Sequence, residues 1–163
     1  SIFEGVIRIA LFVGYVAAIG MVPDIKRTFQ YHGAEHKTIF CYENDLPLTV
    51  ENVRKQGRFH PRCGTSFLLL MLLLGIVVGF FIPFSNPFLR TFTKLLCIPV
   101  IMNLGYEMQK ACARHDNWFT RTLVAPGLWM QRLTVKEPDD KMMEAAITAM
   151  EAVIPENGED LIR

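Results

Sequence analysis

The sequence predicts an all-α fold, specifically a polytopic α-helical membrane protein with about three transmembrane helices. Hydrophobic residues make up 51% of the 163 residues, and they are concentrated in blocks at 3–22, 66–84 and 88–106. A spanning helix needs about 20 mostly apolar residues. Three buried helices of a soluble bundle are the alternative, but the 66–84 block contains no charge and has no polar face for water.

The outer blocks contain a few charged residues near one end. Glu4 and Arg8 have the i,i+4 spacing of a helical ion pair. Arg90 and Lys94 stand near the start of the third block, where long side chains reach the lipid headgroups. Pro99 lies inside that block and predicts a kink.

The distribution of basic residues predicts the orientation. Seven Lys and Arg residues lie in 23–64 and seven more lie after residue 106, which leaves only three for the opposite side. The positive-inside rule therefore places the loop 23–65 and the tail 107–163 in the cytoplasm. We expect a multi-pass protein of the inner (plasma) membrane. The net charge of +1 gives no reason to expect nucleic-acid binding.

Local signals predict helices outside the membrane. Residues 27–43 have helical periodicity, Thr49 is a suitable N-cap for a short helix over 50–56, and 137–157 read as a final amphipathic helix. Between the third block and that helix, the Pro126-Gly127 break predicts short interfacial helices. Their expected membrane anchors are Trp118, Phe119 and Trp129.

The loop contains a pattern of metal-capable residues, His32-x-x-Glu35-His36. Two histidines at i and i+4 of a helix point the same way and can chelate one ion. The order is that of the inverted zincins, in which the glutamate takes a proton from water. On this pattern Glu35 is the predicted catalytic residue.

A second pair, His60 and Cys63, follows on the same expected membrane face, and Glu107 stands at the cytoplasmic end of the third block. Cys63 precedes a helix N-terminus, which favours the thiolate. Thiolate with imidazole is a ligand set typical of Zn²⁺ and argues against Mg²⁺. The candidate ligands are therefore His32, His36, His60, Cys63 and Glu107.

Other interpretations of these residues stay open. A single histidine near headgroups is usually only solvated, so the pairs need not bind a metal. Cys63 would instead be a nucleophile if His60 served as its base. His115 and Asp116 receive no role.

Small residues recur at Ala10, Gly14 and Ala18 in the first block and at Gly75 and Gly79 in the second. Because small residues let helix backbones approach closely in lipid, we expect both faces to be buried, against each other or against a neighbouring subunit. Gly and Ala are also simply common in transmembrane helices.

Three stretches carry a family resemblance: FQYHGAEHKTI, LTVENVRKQGRFHPRCGTSF and APGLWMQRLTVKEPDD. They resemble the YqhQ family of bacterial membrane proteins, which is described as a predicted metal-dependent enzyme of unknown function. The resemblance implies that His32, Glu35, His36, His60 and Cys63 occupy motif positions. It also implies further N-terminal sequence, as does a chain that begins at Ser1 within an apolar block.

Two functions fit these observations. The first is a zinc-dependent hydrolase at the cytoplasmic membrane face, acting on a peptide or a lipid-linked ester, with Glu35 as the base. The second is a non-catalytic scaffold, transporter or channel with a structural metal clamp. Three protein ligands and an open position favour the enzyme, and four ligands favour the clamp. The expected partners are the lipid bilayer and either copies of this chain or other membrane subunits.

Overall fold

A computed structural model describes residues 2–115 and 117–155. Within these residues all regular structure is helical and no strand forms, which confirms the predicted all-α class. The helices are α1 (Ile2–Ile19), α2 (Pro23–Glu43), α3 (Val50–Arg54), α4 (Gly64–Phe80), α5 (Pro87–Arg114), α6 (Trp118–Thr134) and α7 (Asp140–Glu151).

The chain divides into two compact units, each built from two separate stretches of sequence. Unit 1 comprises Ser1–Gly14 and Pro61–Met130, and unit 2 comprises Tyr15–His60 and Gln131–Arg163. The boundaries fall inside α1 and α6, so each of these helices contributes to both units.

Unit 2 is a small helical assembly in which α2 packs on α3 and α7. α2 begins at Pro23, whose fixed φ suits the first helical position. It ends where Asp45 takes a left-handed φ of 53°, with Leu46 N–H donating to Cys41 O over 3.1 Å. The core consists of six buried side chains: Ala34, Cys41, Val53, Met142, Met143 and Ile147.

The short helices of unit 2 form inside the predicted ranges but are shorter: α3 lies within 50–56 and α7 within 137–157. The Thr49 hydroxyl accepts a hydrogen bond from Asn52 N–H at 3.3 Å and caps α3. The Asp139 carboxylate accepts one from Met142 N–H at 2.9 Å and caps α7. The apolar face of α7 packs inward: Met142, Met143 and Ile147 are buried, and Met150 is partly buried.

Unit 1 contains the apolar helices. By length and composition, α1 and residues 87–112 of α5 are long and apolar enough to cross a membrane, and only 11% of each segment is buried. α4 is also apolar but has 17 residues, a length of about 25 Å at 1.5 Å per residue. It ends four residues earlier than expected because Pro83 disfavours helix in the residue before it. The three-span arrangement remains a prediction.

Two proline-containing stretches are continuous helices. α5 runs through Pro99 and continues to Arg114, eight residues beyond the predicted end. α6 runs through Pro126, so the expectation of separate short helices broken at Pro126-Gly127 is wrong. Gly127 packs closely instead: a Cβ there would lie 2.6 Å from Ser66 Cβ on α4.

The small-residue faces are buried only in part within the chain: Gly79 is buried and lies against Lys94 of α5. Ala10, Gly14 and Ala18 are exposed, and a Cβ added at Gly14 or Gly75 would meet nothing within 4 Å. The close approach of α1 to α4 occurs at Gly5, where a Cβ would lie 3.1 Å from Ile76. Mutual packing of the two predicted faces is therefore wrong, and packing against a neighbouring subunit remains a prediction.

Candidate metal centre

α2 places His32 and His36 one helical turn apart on the same face. Their ring centroids are 4.4 Å apart, and their ligand-capable nitrogen atoms lie within 4.8 Å of each other. His36 is buried, with 3% of its surface exposed, whereas His32 is partly buried. The predicted chelating pair thus forms on α2 itself.

Backbone carbonyls fix the orientation of both rings. His36 Nδ1 lies 2.6 Å from Arg58 O, and His32 Nδ1 lies 3.0 Å from Thr134 O. A carbonyl oxygen only accepts, so each Nδ1 carries the proton and the ring lone pair is on Nε2. Metal-binding histidines characteristically have this arrangement, since the second nitrogen usually donates to a carbonyl or carboxylate.

His60 is the third histidine of unit 2. It is 4% exposed, and its ring centroid lies 5.8 Å from that of His36 and 4.6 Å from that of Phe40. Its Nε2 is 3.1 Å from Glu43 Oε2. Donation from Nε2 to this carboxylate leaves the ring lone pair on Nδ1.

Gln131 holds the backbone of His60 with both groups of its amide. His60 N–H donates to Gln131 Oε1 at 2.8 Å, and Gln131 Nε2 donates to His60 O at 2.6 Å. Gln131 is fully buried. A buried amide paired in both directions fixes the position of the residue that it holds.

Gly33 lets the segment after α6 lie against α2. A Cβ at Gly33 would be 2.0 Å from Lys136 O, and Lys136 N–H donates to Phe29 O at 2.9 Å. Any larger residue at 33 would displace this segment, which also carries the Thr134 carbonyl bonded to His32. The glycine inside the H-x-x-E-H pattern thus has a packing role.

Ion pairs join α2, the segment after α3 and the segment after α6. Lys37 Nζ lies 2.6 Å from Glu137 Oε1, and Arg58 Nη1 lies 3.0 Å from Glu137 Oε2. Partial burial raises the pKa of the Glu137 carboxyl, but hydrogen bonds and charge from Lys37 and Arg58 outweigh it and lower that pKa below 4.5. Buried Lys37 also donates to Arg54 O at 3.0 Å.

The structure places the other sequence-predicted residues as follows. Glu35 is exposed and lines a groove between α2 and α7 with Thr38, Ile39 and Ala146. Cys63 is buried at the N-cap of α4 in unit 1, with Sγ 3.1 Å from Thr65 Oγ1. Glu107 is an exposed residue of α5 in unit 1. Their proposed roles stay predictions. His115 lies at the C-cap of α5, and Asp116 is outside the described residues.

Sequence reasoning did not assign a site role to two residues that contact His60. Glu43 lies eleven positions after His32, on the same helical face, so its position was readable from the periodicity. Gln131 is 71 residues from His60, and no local pattern indicated that contact.

Comparisons with known proteins place the chain in a family. Residues 1–156 match the family described as "Protein of unknown function (DUF1385)". The chain is 41% identical over 152 residues to "Uncharacterized protein YqhQ" of Bacillus subtilis (strain 168), covering 93% of this chain and 48% of that protein. The chain belongs to the DUF1385 family. The expected resemblance to YqhQ is thereby confirmed.

The match to this DUF1385 relative covers only part of the relative's length: the chain spans about half of it. No solved structure matches the chain.

Proposed function

We propose that this DUF1385 chain binds a transition metal ion, most simply Zn²⁺, through Nε2 of His32 and Nε2 of His36. One observation carries the proposal: both Nδ1 atoms face backbone carbonyl oxygens, at 3.0 and 2.6 Å. These bonds select the tautomer that ligates through Nε2, and they hold the two rings in place before any ion arrives.

Two further ligands are proposed near this pair. His60 presents its Nδ1 lone pair while Nε2 is held at Glu43, which is the carboxylate–histidine arrangement of many zinc ligands. Cys63 follows His60 by three residues, a stretch that spans at most about 10 Å. Glu107 remains the fifth sequence-based candidate.

The proposed use of the ion is hydrolysis at the cytoplasmic face of the plasma membrane. A zinc ion polarises an acyl or phosphoryl oxygen and makes water more acidic. Glu35 is the proposed proton acceptor from the sequence pattern, and Glu43 is a second carboxylate, adjacent to His60. A peptide or lipid-linked ester at the membrane surface is the proposed substrate class.

A structural metal clamp is the second candidate function, and the position of Glu35 favours it. Glu35 is exposed and lines a groove together with Thr38 and Ile39. In the clamp, Cys63 joins His32, His36 and His60 in a closed set of four ligands, and no base is required.

The proposed location in a membrane is supported by exposed apolar side chains. On α5, for example, the exposed fractions are 83% for Phe88, 63% for Leu96 and 69% for Val100. Such exposure is unusual for a helix in contact with water but natural for one in contact with lipid. Trp118 and Trp129 are also exposed, at 78% and 52%, as interfacial anchors would be.

Metal analysis tests the metal proposal. The purified protein should contain about one zinc per chain, and His36→Ala and His32→Ala should each lose most of it. His115→Ala is the matched control and should retain the metal, because His115 lies at the C-cap of α5 and is not one of the proposed ligands. Failure to find stoichiometric zinc, iron or manganese in the parent protein would contradict the proposal.

Two measurements separate the hydrolase from the clamp. X-ray absorption at the zinc edge should show three protein ligands and one water oxygen in the hydrolase. In the clamp it should show four protein ligands, with three imidazoles and one sulfur. Glu35→Gln should keep the metal in both cases. It should abolish hydrolysis of chromogenic ester, phosphate-ester or casein probes only if Glu35 is the base.

A further inference from the structure

Unit 1 contains a polar recess that is lined by none of the candidate metal ligands. It lies where the first turns of α1, the end of α4 and the first turns of α5 meet. Its charged residues are Glu4, Arg8, Arg90 and Lys94. Three cations and one carboxylate give this recess a net charge of +2 in an otherwise apolar part of the chain.

Among the described residues, the positive charges that line the recess outnumber the negative ones. Glu4 forms an ion pair with Arg8, which leaves Arg90 and Lys94 in excess. Arg90 Nη2 reaches only the Gly79 carbonyl, at 3.4 Å, and Arg90 Nε is buried without a hydrogen-bond partner in the described part of the chain. A buried donor without an acceptor is costly, so an external acceptor would stabilise the recess.

Glycines keep the recess open. A Cβ at Gly75 would meet nothing within 4 Å, and a Cβ at Gly79 would make ordinary contact with Lys94 Cε at 3.5 Å. Any larger side chain at Gly75 would therefore occupy the space between α4 and the cations. The glycine pair thus provides room for a ligand in place of the close helix contact predicted from its spacing.

An apolar groove continues from the recess along α4 and α5. Arg8, Gly75 and Lys94 line both, and the groove then passes Leu72, Leu95 and Ile98. A cationic recess adjoining an apolar groove is complementary to a molecule with an anionic head and a hydrocarbon chain.

We propose that unit 1 binds an anionic phospholipid, whose headgroup has no cation to neutralise its phosphate, with the phosphate between Arg90 and Lys94 and an acyl chain in the groove past Leu95. A guanidinium presents its N–H donors in a fork that matches two phosphate oxygens, and an ammonium adds a compact charge. The phosphate supplies the acceptor that Arg90 Nε lacks. Free phosphate shares this head chemistry, but it leaves the apolar groove unused.

The test measures which lipid stays with the protein. The full chain is reconstituted in nanodiscs of equal phosphatidylglycerol and phosphatidylcholine, extracted into mild detergent, and analysed by native mass spectrometry. Phosphatidylglycerol should be retained several-fold over phosphatidylcholine. The double variant Arg90→Gln/Lys94→Gln should abolish this preference. Lys26→Gln/Lys141→Gln removes the same charge from exposed positions of α2 and α7 and should leave the preference unchanged.

A second variant keeps all charges and tests the groove. Gly75→Leu should lower phosphatidylglycerol retention several-fold, with helicity by circular dichroism confirming that the chain is folded. Inorganic phosphate is titrated calorimetrically in neutral detergent as the other arm. Tight phosphate binding with no lipid preference would overturn the lipid in favour of free phosphate. A parent protein without preference for either, or a preference that survives the double variant, would overturn the site itself.

Discussion

Gln131 is the single side chain on which the placement of His60 most depends. Gln131→Leu removes both hydrogen bonds to the His60 backbone and leaves a buried N–H and a buried C=O without partners. Each unsatisfied group costs about 1–3 kcal/mol, so the thermal unfolding midpoint in detergent should fall by several degrees. Gln56→Leu removes one exposed bond from Asn44 and one part-buried bond to Asn52 O; it is the control and should change the midpoint less. Equal effects of the two substitutions would contradict the structural role of Gln131.

Glu137 should make the stability of unit 2 dependent on pH. Its folded-state pKa is lowered, so the stabilisation is present above the usual carboxyl pKa and is lost as pH falls through the lowered folded value. Thermal unfolding of the parent protein should therefore show a loss of stability below about pH 4.5 that is smaller in Glu137→Gln. Because Glu137 is 57% exposed, solvent screens these ion pairs and the difference should be modest. Parallel pH profiles would contradict this assignment.

Single residues were predictable where the interaction is local. His32 and His36 follow from i,i+4 spacing alone, and the structure brings their rings together. The acceptors that orient those rings are carbonyls of Arg58 and Thr134, at separations of 22 and 102 residues. Any residue type offers a carbonyl, so the sequence carries no signal for these contacts.

At the scale of elements, the approach of segment 134–138 to α2 depends on Gly33. Gly33→Ala would place a methyl group against the Lys136 carbonyl, so the segment must move and take the Thr134 acceptor away from His32. Overpacking of this kind typically costs about 1–3 kcal/mol. We expect a lower unfolding midpoint and weaker zinc retention during dialysis against a chelator.

Gly57→Ala is the matched control for this substitution. A Cβ at Gly57 would lie 4.0 Å from Phe40, an ordinary contact, so stability and zinc retention should stay near those of the parent. If Gly33→Ala behaves like Gly57→Ala, the close approach at Lys136 is not required.

Helices with local start and stop signals were predicted well. α3 begins after Thr49, the predicted cap, whereas α7 begins after Asp139, three residues later than expected. One exception depends on tertiary packing. α6 continues through Pro126, and Gly127 lies in close contact with Ser66. A proline–glycine pair is compatible with a helix that ends there and with a helix that continues through it. The two cases are distinguished only by the tertiary contact that the glycine makes.

For the whole molecule, the distribution of basic residues predicts sidedness. Ser85→Cys lies in the connection between α4 and α5, and Lys55→Cys lies in the basic loop; both positions are exposed. In intact spheroplasts, a membrane-impermeant maleimide should label Ser85→Cys above the parent background. Lys55→Cys should be labelled only after permeabilisation. Labelling of both in intact cells, or of neither before permeabilisation, would contradict the predicted orientation.

The interleaving of the two units has a consequence for biosynthesis. All three histidines are synthesised before residue 61, yet the Gln131 amide and the Thr134 carbonyl that hold two of them belong to the last third of the chain. A ribosome that has reached α5 therefore carries a nascent chain in which His32, His36 and His60 are present but Gln131 and Thr134 are not. His36 has its acceptor, Arg58 O, before α4 is made, whereas His32 and His60 gain the Thr134 carbonyl and the Gln131 amide only after the intervening apolar helices have been synthesised.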